Sequence, residues 1–278
     1  MNFVSIISAE DPRIADYVAV RERDLTGRDG KFIVEGKVTL EVFLRRARFQ
    51  VESLFLETSR IPVLTDLLET LPDDIPVYVA DQDVMDKIVG FPIHRGILAC
   101  GRKASHPSLD DWYRASFTAP QTLVMGIGLS NHDNIGALFR NAAALGASGV
   151  LLDETCGDPL YRKSIRVSAG TALWLPFYHG GTAGDLFDLV ERNQLRAWTL
   201  TPRADAASLY DLPRNEPACL VVGAEGPGLP QELINRGSPV CIPMSHAVDS
   251  LNVATSLAIA LSWRFSPPDT QRKQVCLF

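Results

Sequence analysis

Five short β-rich runs in the second half of the chain, most of them continuously apolar over four or more residues, restrict the fold more than any other feature. They cover residues 122–127, 149–153, 196–200, 218–222 and 239–243. A strand exposed on one face alternates polar and apolar residues. A run without alternation belongs to a strand buried on both faces, as in a parallel sheet covered by helices. Helical patterns fall between the runs, at residues 134–145, 183–193, 230–235 and 251–265, and Pro267-Pro268 stops the last. The first part of the chain shows the same alternation, with strands expected at 31–35, 51–57, 77–80 and 96–100. Helical stretches are expected there at 38–47, 62–70 and 83–89. Between the halves, a polar stretch with Ser105, Pro107, Asp110 and Asp111 lacks periodicity and reads as a linker. A chain of 278 residues accommodates two compact domains more readily than one. The expectation is two α/β domains, over residues 1–102 and 120–267, with a linker at 103–119 and a tail at 268–278.

Composition excludes several classes. With 46% hydrophobic and 22% charged residues the chain is neither disordered nor fibrous. No apolar run approaches the roughly 20 residues of a membrane span, and the start lacks the basic flank of a signal peptide. The five cysteines are scattered without a C-x-x-C pair, which suits a reducing compartment and gives no zinc cluster. The five histidines stand singly, so no metal site is expected. There is no P-loop and no serine-hydrolase elbow, and Gly126-Ile127-Gly128 lacks the third glycine of a dinucleotide fingerprint. The expectation is a cytoplasmic protein without membrane or metal. A net charge of -6 means that any nucleic-acid contact must rest on a local basic patch. Arg21, Arg23, Arg28, Lys31 and Lys37 crowd one such region. Interleaved Glu22, Asp24, Asp29 and Glu35 leave an ordinary solvated surface as the competing reading.

Three segments carry a chemical signal. In Asn131-His132-Asp133-Asn134-Ile135-Gly136, continuing to Arg140, an apolar stripe of Ile135, Leu138, Phe139 and Ala142 leaves Arg140 on the opposite helix face. Capping by Asn134 or Asp133 and a plain surface role for Arg140 are the alternatives. In Gly223-Ala224-Glu225-Gly226-Pro227-Gly228, an apolar strand runs into a glycine loop through which a backbone can approach a ligand. A tight turn with a solvated Glu225 competes. In Ile242-Pro243-Met244 and Asp249-Ser250-Leu251-Asn252-Val253, another strand ends and a helix rich in small residues begins. There Asp249 or Ser250 is a candidate cap.

Taken together, these segments resemble the SpoU/TrmH family of RNA ribose 2′-O-methyltransferases, within the SPOUT superfamily. N-x-G with an arginine four residues later is matched by Asn134, Gly136 and Arg140. G-x-E-G-x-G is matched from Gly223 to Gly228, and I-P-M with S-L-N-V by Ile242 to Met244 and Ser250 to Val253. The stretch from Tyr161 to Gly170 also looks like a segment of that family, and the likeness spans about residues 120–265. Departures are Ser130-Asn131-His132-Asp133 in the lead-in, and His246 and Asp249 where small residues are usual.

The resemblance implies a C-terminal SPOUT α/β domain with a trefoil knot that holds S-adenosylmethionine, preceded by an L30e-like α/β substrate-binding domain. It implies cofactor contacts at Gly223, Ile242 and Leu251, with Leu200 and Met244 as neighbours. Arg140, Asn134, Glu225, Ser250 and Asn252 would form the catalytic set, with His132 an alternative base. RNA, ribosomal or transfer, would be the substrate, in part through Arg21, Arg23, Arg28, Lys31 and Lys37. The working form would be a homodimer with an active site across its interface. A non-catalytic RNA-binding protein retaining the knotted fold is the alternative.

Overall fold

A computed structural model describes residues 2–18, 30–90, 96–103, 107–119, 122–245 and 248–265. The early elements are β1 (Asn2–Ser5), β2 (Lys31–Glu35), α1 (Lys37–Arg46), β3 (Gln50–Glu57), α2 (Thr65–Leu68), β4 (Pro76–Ala80), α3 (Gln82–Val89) and β5 (Ile97–Arg102). Next come α4 (Leu109–Ser116), β6 (Thr122–Gly126), α5 (His132–Ala144), β7 (Gly149–Leu152) and α6 (Arg162–Val167). The chain continues through β8 (Phe177–His179), α7 (Ala183–Arg192), β9 (Arg196–Leu200), β10 (Ala207–Ser208) and β11 (Ala218–Val222). It ends with α8 (Gln231–Arg236), β12 (Ser238–Cys241) and α9 (Val253–Arg264). Two compact units result. One comprises Met1–Ser108, Asn131–Arg140 and Gly157–Pro176; the other comprises Leu109–Ser130, Asn141–Cys156 and Phe177–Phe278.

The first unit is built on a five-stranded sheet in the order β1-β4-β3-β5-β2. It is mixed: β4 runs parallel to β1 and β3, whereas β5 runs antiparallel to β3 and β2. Ile33, Phe55, Leu98 and Cys100 share one core with Tyr17 and with Met85, Ile88 and Val89 of α3. The buried Tyr17 hydroxyl donates to the Ser53 carbonyl at 3.0 Å, which satisfies its polar end. On the β2 side, Arg162 donates to the Glu35 carboxylate, and Arg166 approaches the same oxygen at 3.6 Å. The Glu35 side chain is only 7% exposed, so these arginines hold a buried charge. Gly136 of α5 permits close approach to α6. A Cβ there would stand 2.6 Å from Val167 Cβ and 2.8 Å from the Ser164 carbonyl oxygen.

The second unit holds a seven-stranded sheet, β10-β12-β9-β11-β6-β7-β8, with every pairing parallel. Strands β6, β7 and β11 are buried at every residue, which is why their sequences are apolar throughout except at Thr122. Edge strand β8 is half-buried, and edge strand β10 exposes Ala207 and half-buries Ser208. Helix α7 begins with a reciprocal cap. Asp185 N–H donates to Thr182 Oγ1 at 3.2 Å, and Thr182 N–H donates to Asp185 Oδ2 at 2.7 Å.

Three expectations need correction. Within the segment expected to be a linker, Leu109–Ser116 is helical, and its Trp112 and Tyr113 are buried against Leu186, Phe187 and Leu189. The last helix starts at Val253 rather than Leu251, because Asn252 is its cap. Strands β1, β8 and β10 and helix α6 were not anticipated from sequence; the three strands are two to four residues long, and α6 has six.

Candidate functional site

Adjacent parallel strands β12, β9 and β11 end on the same edge of the second sheet. The loops that leave them therefore converge, and such strand ends are where open α/β sheets take ligands. Beyond β11, a Cβ on Gly223 would lie 2.5 Å from the Leu229 nitrogen and 2.6 Å from the Gly228 carbonyl carbon, so only glycine fits against this backbone. The loop closes through Gly228 N–H donating to the Ala224 carbonyl at 3.1 Å. Gly226 and Gly228 have φ of 85° and 68°, a region glycine occupies without penalty. The three motif glycines thus have structural reasons beyond any ligand.

These loops enclose a cavity of 680 Å³, within the range of small-molecule sites. It gathers eight of the ten residues assigned from sequence to catalysis or cofactor: Leu200, Gly223, Glu225, Ile242, Met244, Ser250, Leu251 and Asn252. Leu200, Val222, Val240, Ile242 and Leu251 supply apolar wall, and Glu225, Ser250 and Asn252 supply polar groups. Apolar walls, a few convergent polar groups and a glycine-lined backbone fit a nucleoside-sized cofactor. Asn252 joins two of these parts. Its Oδ1 accepts from the N–H groups of Ala254 at 2.9 Å and Thr255 at 3.3 Å, while its Nδ2 donates to Glu225 Oε1 at 3.1 Å. The cap expected at Asp249 or Ser250 is therefore Asn252, which alone reaches the first-turn donors of α9.

The other two assigned residues, Asn134 and Arg140, sit on the part of α5 that belongs to the first unit. Asn134 is buried and Arg140 exposed, as the helical spacing requires. The cap of α5 is Asn131, whose Oδ1 accepts from Asp133 N–H at 2.9 Å, so neither Asn134 nor Asp133 fills that role. Asp133 pairs with Lys163 at 2.6 Å, and the His132 ring lies 4.2 Å from that of Tyr161. Of the basic cluster, Arg21, Arg23 and Arg28 lie outside the described residues, as does His246. Lys31 is committed to Asp16 at 2.7 Å and Glu52 at 3.6 Å, and Lys37 is exposed at the start of α1. The hydrogen bond that Lys31 Nζ donates to the Asp16 carboxylate raises its ammonium above the usual range.

Arg203, Gln231 and Ser256 also line the cavity and were missed. For Arg203 the available signal was its place three residues past a buried strand. Its Nε donates to Asp205 Oδ1 at 2.8 Å and its Nη2 to Oδ2. The guanidinium holds the Asp205 carboxyl below the usual carboxylate range. Among the described residues, no group of three or more His, Cys, Asp or Glu is placed to hold a metal ion, and no helix is long and apolar enough to cross a membrane.

Comparison with known proteins adds to this geometry. The family model described as the SpoU rRNA Methylase family matches residues 111–262. An uncharacterized tRNA/rRNA methyltransferase of Mycobacterium bovis is 34% identical over 263 residues, 92% of this chain and 89% of the relative. The SpoU methyltransferase AviRb from Streptomyces viridochromogenes, solved with AdoMet, superposes with a TM-score of 0.78 at 22% identity over 91% of this chain and 97% of that one. A protein described as an RNA 2′-O ribose methyltransferase superposes with a TM-score of 0.77 at 24% identity, over 94% and 98% of the two chains. At these identities the two solved structures speak to the α/β fold alone.

Proposed function

This chain is an RNA methyltransferase of the SpoU rRNA methylase family, and from that premise we propose that it transfers a methyl group from S-adenosylmethionine to a ribose 2′-hydroxyl of a structured RNA, ribosomal or transfer. The observation that carries this reading is the convergence of the glycine loop, the Ile242–Met244 strand end and the Ser250–Asn252 step on one 680 Å³ cavity. The solved relative AviRb, bound to AdoMet, supports the choice of cofactor. The solved relative described as a 2′-O ribose enzyme supports the choice of acceptor.

When bound, S-adenosylmethionine supplies a methyl carbon activated by its sulfonium. The chain provides the rest. Gly223, Ile242 and Leu251 offer backbone groups to the cofactor, and Leu200 and Met244 its apolar surroundings. A ribose hydroxyl is a weak nucleophile, and holding it in line with the methyl carbon supplies much of the acceleration. A guanidinium cation is delocalised over three nitrogens, which makes it a poor general base and a good partner for an anion. Arg140 therefore acts by clamping an RNA phosphate while polarising the hydroxyl, whose proton passes to solvent as the new O–C bond forms. By the family resemblance, Asn134 is assigned with Arg140 to the catalytic set, and Glu225, Ser250 and Asn252 to positioning the ribose through hydrogen bonds.

Recognition of RNA is assigned to residues 1–102, whose sheet is complete between Asn2 and Arg102 and which read as the L30e-like domain. Of the two described members of the expected basic cluster, Lys37 is exposed and able to reach RNA at once, whereas Lys31 must first leave Asp16 and Glu52. The methyltransferase part is assigned to residues 120–267 with a C-terminal knot and a homodimeric, cytoplasmic working form. Half-buried Val253, Ala258 and Ile259 on α9 support pairing through that helix. The test is Arg140→Ala. Methyl transfer to bulk ribosomal and transfer RNA should fall at least a hundredfold while the circular dichroism spectrum is unchanged. Retained activity would remove Arg140 from its role.

A further inference from the structure

Among the described residues lining the cavity, Arg203 has the one cationic side chain and Glu225 the one anionic side chain. The ligand assigned to this cavity carries a matching pair of charges on its amino-acid tail, a carboxylate and an ammonium. We infer, building on the cofactor reading above, that Arg203 binds the carboxylate of the methionine moiety and thereby selects cofactors that bear it.

The guanidinium is prepared for this role by Asp205. The aspartate takes the edge formed by Nε and Nη2, with Nε–Oδ1 at 2.8 Å. A guanidinium has five N–H donors in a rigid fork, so pairing along one edge leaves Nη1 and the second hydrogen of Nη2 for another carboxylate. The Arg203 side chain is 35% exposed, and its pairing with Asp205 along one edge leaves the other edge open to a ligand. Its location suits the task. Arg203 follows the end of β9, adjacent in the sheet to β11, whose own end carries the glycine loop. On the opposite count, Glu225 gives Oε1 to Asn252 Nδ2 at 3.1 Å and keeps Oε2 for a cationic group. One cation and one anion facing a zwitterionic tail give polarity to a cavity that is otherwise apolar or neutral. An arginine neutralised by a neighbouring aspartate also avoids leaving a lone charge in the cavity when it is empty.

The test is calorimetric titration of the full-length protein and its Arg203→Gln variant with S-adenosylmethionine and with decarboxylated S-adenosylmethionine, ligands that differ by the carboxylate alone. Loss of a charge-assisted hydrogen-bonded pair should weaken S-adenosylmethionine about tenfold in the variant and leave the decarboxylated ligand unchanged. Wild type should prefer S-adenosylmethionine by a similar factor. Equal weakening of both ligands would mean that Arg203 only shapes the cavity, and no weakening of either would mean that it faces solvent; each overturns the assignment. Absence of binding by wild type to either ligand would instead overturn the cofactor reading, and this inference with it. Unfolding midpoints of the two proteins, together with the unchanged decarboxylated ligand, separate a binding effect from damage to the loop.

Discussion

Asn252 serves two neighbours with one side chain, capping α9 with its oxygen and holding Glu225 with its nitrogen. The two duties can be separated. Asn252→Ala should cost about 1 kcal/mol in denaturant unfolding, the usual loss for a helix cap. Asn252→Asp keeps the capping oxygen, so stability should stay within about 0.5 kcal/mol of wild type. It removes the donor to Glu225 and sets two carboxylates together, and methyl transfer should fall at least tenfold. Equal activity in the aspartate variant would detach the Asn252–Glu225 contact from function. Gly223 presents a simpler case. The 2.5 Å approach of a Cβ to the Leu229 nitrogen is a clash with backbone, so Gly223→Ala should move the loop and weaken S-adenosylmethionine at least tenfold by calorimetry. Residues of this kind were legible, because a glycine or an asparagine in an ordered motif names its own position. Arg203 was not, since a single arginine has no pattern until the fold lines the cavity with it. Choosing Asn131 over Asn134 as the α5 cap likewise depended on where the helix begins, a boundary the sequence blurs by two residues.

Two contacts join elements of the first unit and set how α5, α6 and β2 fit together. Gly136 lets α5 approach α6, and Gly136→Ala should destabilise the protein by about 1–3 kcal/mol through overpacking against Val167 and the Ser164 carbonyl. Arg162→Ala would leave the buried Glu35 carboxylate with Arg166 alone, at 3.6 Å, and should cost about 3 kcal/mol. Adding Glu35→Gln to that variant should recover part of the loss, and full additivity would show that the pair does not couple. The segment from Tyr161 to Gly170, legible only as a family-like stretch, thus has a physical reason for its arginines. Helix α4 shows the limit from the other side. Leu109, Trp112 and Tyr113 have helical spacing, but the stripe spans little more than one turn, and neighbouring Ser and Pro masked it.

At the scale of the molecule, the all-parallel sheet was legible because strands buried on both faces must be apolar throughout. The mixed sheet of the first unit was not, because β5 pairs antiparallel with strands far away in sequence and no local pattern records direction. The cavity has a consequence for the whole molecule as well. S-adenosylhomocysteine at a hundred times its dissociation constant should add about 2.7 kcal/mol to stability. Amide exchange should slow at residues 200–203, 223–229 and 248–252, where loops meet the cavity, and not in the strands of the first sheet. Protection elsewhere would place the ligand elsewhere.

The central claim is methyl transfer to a ribose oxygen, and alkaline hydrolysis reads it directly. Alkali cleaves RNA through the free 2′-hydroxyl, so a 2′-O-methyl group leaves the adjoining linkage intact. Bulk ribosomal and transfer RNA, incubated with the protein and S-adenosylmethionine carrying a labelled methyl group, should release the label in alkali-resistant dinucleotides, and Arg140→Ala should abolish it. Label recovered in mononucleotides would mean that a base is methylated and would contradict the account, as would the absence of label in RNA.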